Sequence, residues 1–241
     1  MLQSLFRRVQ QAVGGKPVKP VSNPVMIANA VPAPDGADRR TLAPSDRLCA
    51  ISDVGRVRDH NEDLIHLSDD HRMLIVADGM GGHAAGEVAS ALAIAAIREH
   101  LEASLPAGAE ALQQAMRTAL DAAQERVLAA GQDSGSEHRM GCTLILACID
   151  GDMLYLCHVG DVRGYLWREK QLRALTNDHS VVAELLSAGE LTPDEARVHP
   201  ARNEVLQAVG MAFGFAPEMT ICQPWRPCAF VFGRTVGNAL R

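Results

Sequence analysis

Aromatic residues are scarce in this chain. They make up 4% of its 241 residues, whereas hydrophobic residues as a whole make up 47%. The interior must therefore consist mainly of aliphatic side chains, and a chain of this length can bury one full core or two small ones. The composition predicts an ordinary globular protein with an aliphatic interior.

A basic excess and a long apolar run are also missing. The net charge is −6, and lysine and arginine form no stripe, which argues against a general nucleic-acid binder. No apolar run is long enough to span a bilayer, and residues 1–13 lack the continuous apolar segment of a secretory signal. We therefore expect a cytoplasmic monomer with no membrane span and no nucleic-acid partner.

The cysteines do not follow a metal-binding pattern. No C-x-x-C pair is present, and no cysteine–histidine set has zinc-finger spacing. Three of the six lie in apolar, strand-like runs and are predicted to be small buried thiols: Cys142, Cys148 and Cys157.

Composition divides the chain into three parts. Residues 1–45 are predicted to be a disordered leader, because residues 14–44 are rich in Gly, Pro, Ala and Ser, although Gln3 to Val13 could form a short amphipathic helix. Residues 46–218 are predicted to form the folded domain, and residues 219–241 an aberrant C-terminal tail.

Periodicity predicts strands and helices in an α+β order. Predicted strands cover residues 48–54, 63–67, 72–77, 142–149, 153–159, 163–167 and 171–175. Predicted helices cover residues 84–101, 109–130 and 181–188, with Gly131 as a C-cap, and a further helix begins at Thr192-Pro193. Asp150-Gly151-Asp152 predicts a hairpin turn.

Two groups of acidic residues could hold divalent cations. Asp78 follows the apolar run 73–77 and could bridge two ions about 3.5–4 Å apart, with the carbonyl of Gly79 as a further ligand. Glu62 and Asp63 could reach the same ions directly or through water, and Arg58 could clamp a phosphate. On spacing alone, a loop of surface acids explains these residues about equally well.

Asp161 lies in a second acidic position, between the strands predicted before and after it. Taken alone, His158-Val159-Gly160-Asp161-Val162-Arg163 fits a tight hairpin with an Asx-type turn better than a metal site.

Several ordered segments together resemble the bacterial metal-dependent serine/threonine protein phosphatases, the PPM or type 2C family. They are residues 52–63, residues 76–82, Gly141-Cys142-Thr143-Leu144, residues 158–163, residues 175–180 and residues 195–203. The resemblance covers roughly residues 48–210. It implies an α+β fold in which two antiparallel sheets form a sandwich flanked by helices, in four layers (αββα).

The resemblance also implies a reaction and a set of roles. It implies hydrolysis of phosphoserine and phosphothreonine on proteins by a metal-bound hydroxide, with Mg²⁺ or Mn²⁺ as cofactor and without a covalent phosphoenzyme. Asp78, Gly79, Glu62 and Asp63 would hold two ions, Asp161 would help a third, and Arg58 would bind the substrate phosphate. Residues 181–202 would form a flap that selects substrates. Expected partners are phosphorylated proteins and a Ser/Thr kinase in a signalling pathway. His83 could act as a general acid, but a position at a helix start or on the surface explains it better.

The sequence after Glu218 departs from the family pattern. The family's later ligands are two aspartates, but residues 219–241 contain no Asp or Glu. A slip of one base near Trp225 to Cys228 would convert codons for Ser-Asp-Gly-Trp-Glu into Arg-Thr-Val-Gly-Asn, the sequence at 234–238. We therefore expect a truncated or frameshifted sandwich, incomplete at its C-terminal end, with weak or no activity. The alternative function is a phosphatase-like module that binds phosphoproteins or a kinase.

Overall fold

The computed structural model describes residues 26–28, 39–42, 48–53, 60–81, 84–133, 140–168, 171–212, 214–223 and 229–233. Its strands are β1 (Met26–Ala28), β2 (Arg39–Leu42), β3 (Leu48–Asp53), β4 (Asp63–Leu67), β5 (Met73–Met80), β6 (Gly141–Asp150), β7 (Met153–Val159), β8 (Arg163–Arg168), β9 (Gln171–Ala174), β10 (Glu218–Cys222) and β11 (Ala229–Gly233). Its helices are α1 (Ala84–Leu101), α2 (Ala109–Asp133), α3 (Val181–Ser187) and α4 (Pro193–Val198).

The strands form two sheets. One has five antiparallel strands in the order β10-β7-β6-β5-β4. The other has six strands in the order β2-β3-β1-β11-β8-β9, in which β1 runs parallel to both of its neighbours. The predicted α+β architecture of two sheets with helices is confirmed.

The five-stranded sheet separates two apolar cores, because successive side chains of a strand point to opposite faces. In β5, Met73, Ile75 and Ala77 pack in the core on the helical side, whereas Leu74 and Val76 pack in the core between the sheets. Phe230 and Phe232 of β11 lie in that second core, with ring centroids 6.2 Å apart. Most of the interior is aliphatic, as the composition predicts.

The two long helices cover the five-stranded sheet. The first, α1, packs on β4, β5 and β6, and α2 packs on α1, β6 and β7. Ala89, Ala93 and Ala96 of α1 are fully buried, and their small side chains allow a close approach to the sheet. None of the helices in the described ranges combines the length and the apolar character that a membrane span requires.

The predicted hairpin turn and the predicted helix cap are both present in the structure. A two-residue turn joins β6 to β7, with Gly151 at φ +57° and Asp150 paired with Met153. Thr192 caps α4, accepting a hydrogen bond from the backbone N–H of Glu195, whose side chain in turn accepts one from the N–H of Thr192. Cys142, Cys148 and Cys157 are buried free thiols, as predicted.

Two predicted boundaries are wrong. Gly131 does not end α2, which continues to Asp133, because a single glycine costs a helix only about 1 kcal/mol. Asp78 does not follow β5 but lies within it: Asp78, Gly79 and Met80 pair with Thr143, Cys142 and Gly141 of β6. The partner strand thus extends the ladder beyond the apolar run.

The sheets also include parts of the chain outside the predicted folded domain. Two segments of the predicted leader form β1 and β2 of the six-stranded sheet. On the C-terminal side, the boundary between residues 218 and 219 falls inside β10, and β11 follows as a partner of β8. Such short strands depend on pairing with distant residues, which local composition does not reveal.

Candidate metal centre

Three polar residues form a row across one end of the five-stranded sheet. Asp63 of β4 pairs directly with Asp78 of β5, and Asp78 pairs with Thr143 of β6. Directly paired residues project from the same face of a sheet. Because Ile65, Val76 and Ile145 pack between the sheets at alternating positions of these strands, the row faces the space between the sheets. The register therefore places two carboxylates side by side at the mouth of the sandwich.

Glu62 lies against the next residue of β5. Its carbonyl accepts a hydrogen bond from the N–H of Gly79 at 3.1 Å. Its carboxylate lies beside Gly86 of α1, since a Cβ built on Gly86 would come within 2.7 Å of the Glu62 Oε1. The structure therefore brings Glu62, Asp63, Asp78 and Gly79 together.

The close approach of two glycines makes this arrangement possible. A Cβ on Gly79 would lie 2.2 Å from the carbonyl oxygen of Gly86 and 2.8 Å from that of Glu62. Both contacts are to backbone atoms, so no side-chain movement could relieve them. Glycine at both positions allows β5 and the first turn of α1 to meet with backbone oxygens close by.

Two polar residues that our sequence analysis missed hold the acidic segment in place. The buried Ser90 hydroxyl of α1 donates to the Glu62 carbonyl at 2.9 Å. Asn61 accepts from the N–H of Asp63 at 3.1 Å and donates to the Ser52 hydroxyl at 2.9 Å. Gly86 and Ser90 are four residues apart and therefore share one face of α1. This four-residue spacing was the feature of the sequence that could have identified Gly86 and Ser90 as neighbours of the acidic segment.

Gly160 positions the turn that carries Asp161. It has φ +98°, and a Cβ at this residue would lie 2.4 Å from the Cβ of Thr143. The turn therefore packs on the strand position that pairs with Asp78. Asp161 follows directly, so the second predicted acidic position lies at the same end of the sheet as the first.

Two adjacent residues, Asp178 and His179, hold this turn by hydrogen bonds on either side of Asp161. His179 exchanges two hydrogen bonds with Gly160: its N–H donates to the Gly160 carbonyl at 2.9 Å, and its Nδ1 accepts from the Gly160 N–H at 3.2 Å. Asp178 binds the Arg163 guanidinium through both oxygens, at 2.7 and 2.5 Å. This pairing raises the pKa of Arg163 above its usual value. Our sequence analysis did not predict this contact, because it depends on long-range packing.

Replacing Gly160 by alanine is expected to destabilise the fold by about 2–4 kcal/mol, because the substitution combines a left-handed φ with a clash against Thr143. Urea denaturation measures the change. Gly151→Ala is the matched control, since Gly151 also has a positive φ but no atom within 4 Å of an added Cβ. A loss no larger than that of the control would contradict the proposed packing of the turn.

The donors at this end of the sheet suit a hard divalent cation. Carboxylate and carbonyl oxygens are the ligands that Mg²⁺ and Mn²⁺ prefer. Asp78 is only 5% exposed, and buried charges are normally paired or bound to metals. The buried Thr143 hydroxyl beside it has no hydrogen-bond partner in the described part of the chain. Arg58 and His83, also singled out from the sequence, lie outside the described residues.

Comparison with known proteins gives a consistent family match. Residues 56–202 match the protein phosphatase 2C family. The chain is 37% identical over 164 residues to the serine/threonine phosphatase stp of Listeria welshimeri, a match that covers 66% of this chain and 65% of that protein. It is 41% identical over 163 residues to the serine/threonine protein phosphatase PstP of Mycobacterium tuberculosis, covering 68% of this chain and 31% of that protein. The chain therefore spans less than two thirds of these relatives.

Solved structures share the fold. The S. agalactiae serine/threonine phosphatase superposes with a TM-score of 0.69 at 28% identity, covering 80% of this chain and 77% of that one. The catalytic domain of PstP in complex with two manganese ions superposes with a TM-score of 0.60 at 33% identity, covering 80% and 74%.

Proposed function

The chain belongs to the protein phosphatase 2C (PPM) family of bacterial serine/threonine phosphatases, and on this premise we propose that it hydrolyses phosphoserine and phosphothreonine on proteins with the help of divalent cations. One observation carries the proposal: Asp63 and Asp78 are direct partners across β4 and β5, and Gly79 is hydrogen-bonded to Glu62. Two carboxylates that a sheet ladder holds directly opposite each other suit a site that binds metal and phosphate.

Asp78, Glu62, Asp63 and the Gly79 carbonyl are the proposed ligands of Mg²⁺ or Mn²⁺, with Asp161 nearby for a third, looser ion. When bound, the cations would neutralise phosphate charge and lower the pKa of a water molecule so that it can act as the nucleophile. The protein's own contribution is rigidity: the β4–β5 ladder fixes two carboxylates, and Ser90 holds the backbone of Glu62. The two manganese ions in the PstP structure support a divalent cation as the cofactor.

Arg58 is proposed to bind the substrate phosphate. A guanidinium presents two parallel N–H donors that match phosphate oxygens, and this residue lies four positions before Glu62 in the sequence. With the cations holding the phosphate from one side, a bidentate arginine would fix its orientation for attack in line with the leaving serine or threonine oxygen.

The segment of residues 181–202 is proposed to select substrates. It consists of the short helices α3 and α4, which expose Leu186 and Val198 to solvent, Val198 to 77%. The residues flanking its two ends are joined, since the Leu206 N–H donates to the His179 carbonyl at 2.8 Å, and His179 in turn is hydrogen-bonded to Gly160 of the Asp161 turn. We propose cytoplasmic phosphoproteins as substrates and a Ser/Thr kinase as the opposing enzyme.

Hydrolysis of a phosphothreonine peptide by the full chain tests the proposed function. Phosphate release should require added Mn²⁺ or Mg²⁺, stop on addition of EDTA, and fall at least about 100-fold in Arg58→Ala, whose phosphate contact is lost. Release that persists in EDTA would contradict the proposal.

A second function is favoured by one specific observation. Residues 219–241 contain no Asp or Glu, so they cannot supply the two further aspartates that the family resemblance implies. A site that lacks these two carboxylates would hold two cations less tightly. The second candidate is therefore a module that binds phosphoproteins or a kinase without turnover. Saturable, cation-dependent binding of the phosphothreonine peptide without phosphate release would favour this candidate over the enzyme.

A further inference from the structure

A second group of possible metal ligands lies next to the Asp161 turn. It comprises His158 of β7, His179 from the loop after β9, and Glu218 of β10. Glu218 is the direct cross-strand partner of His158, and the two histidine rings stack with centroids 4.6 Å apart. One ligand atom from each of the three residues lies within 4.8 Å of the other two. We call these residues the histidine cluster.

His158 presents an unused nitrogen lone pair in the interior. The residue is fully buried, and its Nε2 lies 2.8 Å from the carbonyl oxygen of Asn177. A carbonyl only accepts, so Nε2 carries the ring hydrogen and Nδ1 holds the lone pair. Nδ1 has no hydrogen-bond partner within the described ranges. Burial lowers the pKa of His158, which keeps the ring in the neutral form that binds metals.

His179 and Glu218 complete a set of ligands whose chemistry differs from that of the oxygen donors around Asp78. His179 Nε2 lies 3.6 Å from Glu218 Oε2, and the Glu218 side chain is 39% exposed, which leaves a path from solvent. Two imidazoles and one carboxylate suit zinc, whereas the all-oxygen donors around Asp78 suit magnesium and manganese. We propose that His158, His179 and Glu218 form a second cation site, which takes Zn²⁺ and goes beyond the proposed phosphatase function.

The ligand atoms of the histidine cluster need to move only a short distance to bind zinc. Ligand atoms of a tetrahedral zinc site, with bonds of about 2.0–2.1 Å, lie about 3.3 Å apart. The histidine cluster must therefore contract by at most about 1.5 Å from the 4.8 Å limit. The partly exposed Glu218 side chain has the freedom to supply most of that movement, while the Asn177 carbonyl holds His158 in a fixed orientation.

Zinc in the histidine cluster would alter the Asp161 turn. Because the Gly160 N–H donates to His179 Nδ1, the His179 proton lies on Nε2, facing Glu218, when no cation is bound. A zinc ion at Nε2 takes the place of this proton, which moves to Nδ1, and the hydrogen bond from Gly160 is lost. One neutral hydrogen bond is a small loss beside zinc binding. Zinc therefore loosens the turn next to Asp161.

Isothermal titration of the full chain with Zn²⁺, in excess Mg²⁺ to occupy the acidic site, tests the histidine cluster. We expect one zinc ion per chain and an affinity loss of at least about 10–100-fold in Glu218→Gln. Glu218 is chosen because it is partly exposed, whereas changes at the buried His158 could unfold the chain. Glu190→Gln, which removes an exposed carboxylate outside the cluster, is the matched control and should bind zinc like the unaltered chain.

The readouts do not involve phosphate release, so the outcome is independent of the phosphatase proposal. Asp78→Asn should leave zinc affinity unchanged, and faster amide exchange at Gly160 on zinc addition would support the tautomer change. The proposal is overturned if the unaltered chain binds no zinc, if Glu218→Gln binds as tightly as Glu190→Gln, or if zinc binding is lost in Asp78→Asn instead.

Discussion

Asp78→Asn is expected to reduce Mn²⁺ affinity by at least about 100-fold and to abolish cation-dependent phosphate release, because it removes the charge of the central ligand without changing the side-chain shape. Asp78 is 5% exposed and lies between Asp63 and Thr143 in the ladder, so the sheet fixes its carboxylate at the centre of the row. Titration of Mn²⁺ followed by electron paramagnetic resonance measures the loss of free ion directly.

The fold should survive this substitution. Two carboxylates directly opposite each other in a sheet repel, and an amide at position 78 removes that repulsion. We expect an unchanged circular dichroism spectrum and a melting temperature in EDTA no lower than that of the unaltered chain. Asp121→Asn, an exposed residue of α2, is the control and should leave Mn²⁺ binding intact. Undiminished Mn²⁺ affinity in Asp78→Asn would exclude Asp78 as a ligand.

Gly79→Ala is expected to destabilise the protein by about 3 kcal/mol or more and to disrupt the metal centre at the same time. Its Cβ would lie 2.2 Å from the Gly86 carbonyl oxygen and 2.4 Å from the carbonyl carbon, so α1 must move away from β5. That movement also displaces the Glu62 backbone, which is hydrogen-bonded to Gly79 and Ser90. Urea denaturation and Mn²⁺ titration report the two effects.

Gly131→Ala separates this clash from a general effect of replacing glycine. Gly131 lies inside α2, and an added Cβ meets nothing closer than 3.8 Å, at Met140. Alanine there should stabilise the helix by about 0.5–1 kcal/mol, since it restricts the unfolded chain and favours helical structure. If Gly79→Ala were as mild as Gly131→Ala, the close packing of α1 on β5 would be incorrect.

The sequence predicted those parts of the centre that depend on local pattern. The two strands that carry the acidic residues were predicted at 63–67 and 72–77 from their local apolar pattern, whereas the extension of the second strand to Met80, which pairs Asp63 with Asp78, was not. Strand alternation then gives the direction of both side chains. The helix at residues 84–101 was likewise predicted with its observed limits, because its alanine-rich periodicity is strong.

Long-range packing accounts for what the sequence did not predict. The contact of Gly86 with Glu62 depends on how α1 docks on the sheet. The hydrogen bonds of Asp178 and His179 to the Asp161 turn join residues about 15 to 19 positions apart. The pairing of Glu218 with His158 joins residues 60 positions apart through β10, which begins at the boundary of the expected aberrant tail. No turn residue or periodicity encodes such a register.

Anomalous diffraction at the manganese edge, from crystals of the full chain grown with Mn²⁺, tests the central claim most directly. If residues 62, 63, 78 and 79 form one cation site, the strongest anomalous peak should lie within bonding distance of an Asp78 carboxylate oxygen and of the Gly79 carbonyl oxygen. A strongest peak elsewhere on the molecule, with none beside Asp78, would contradict the account.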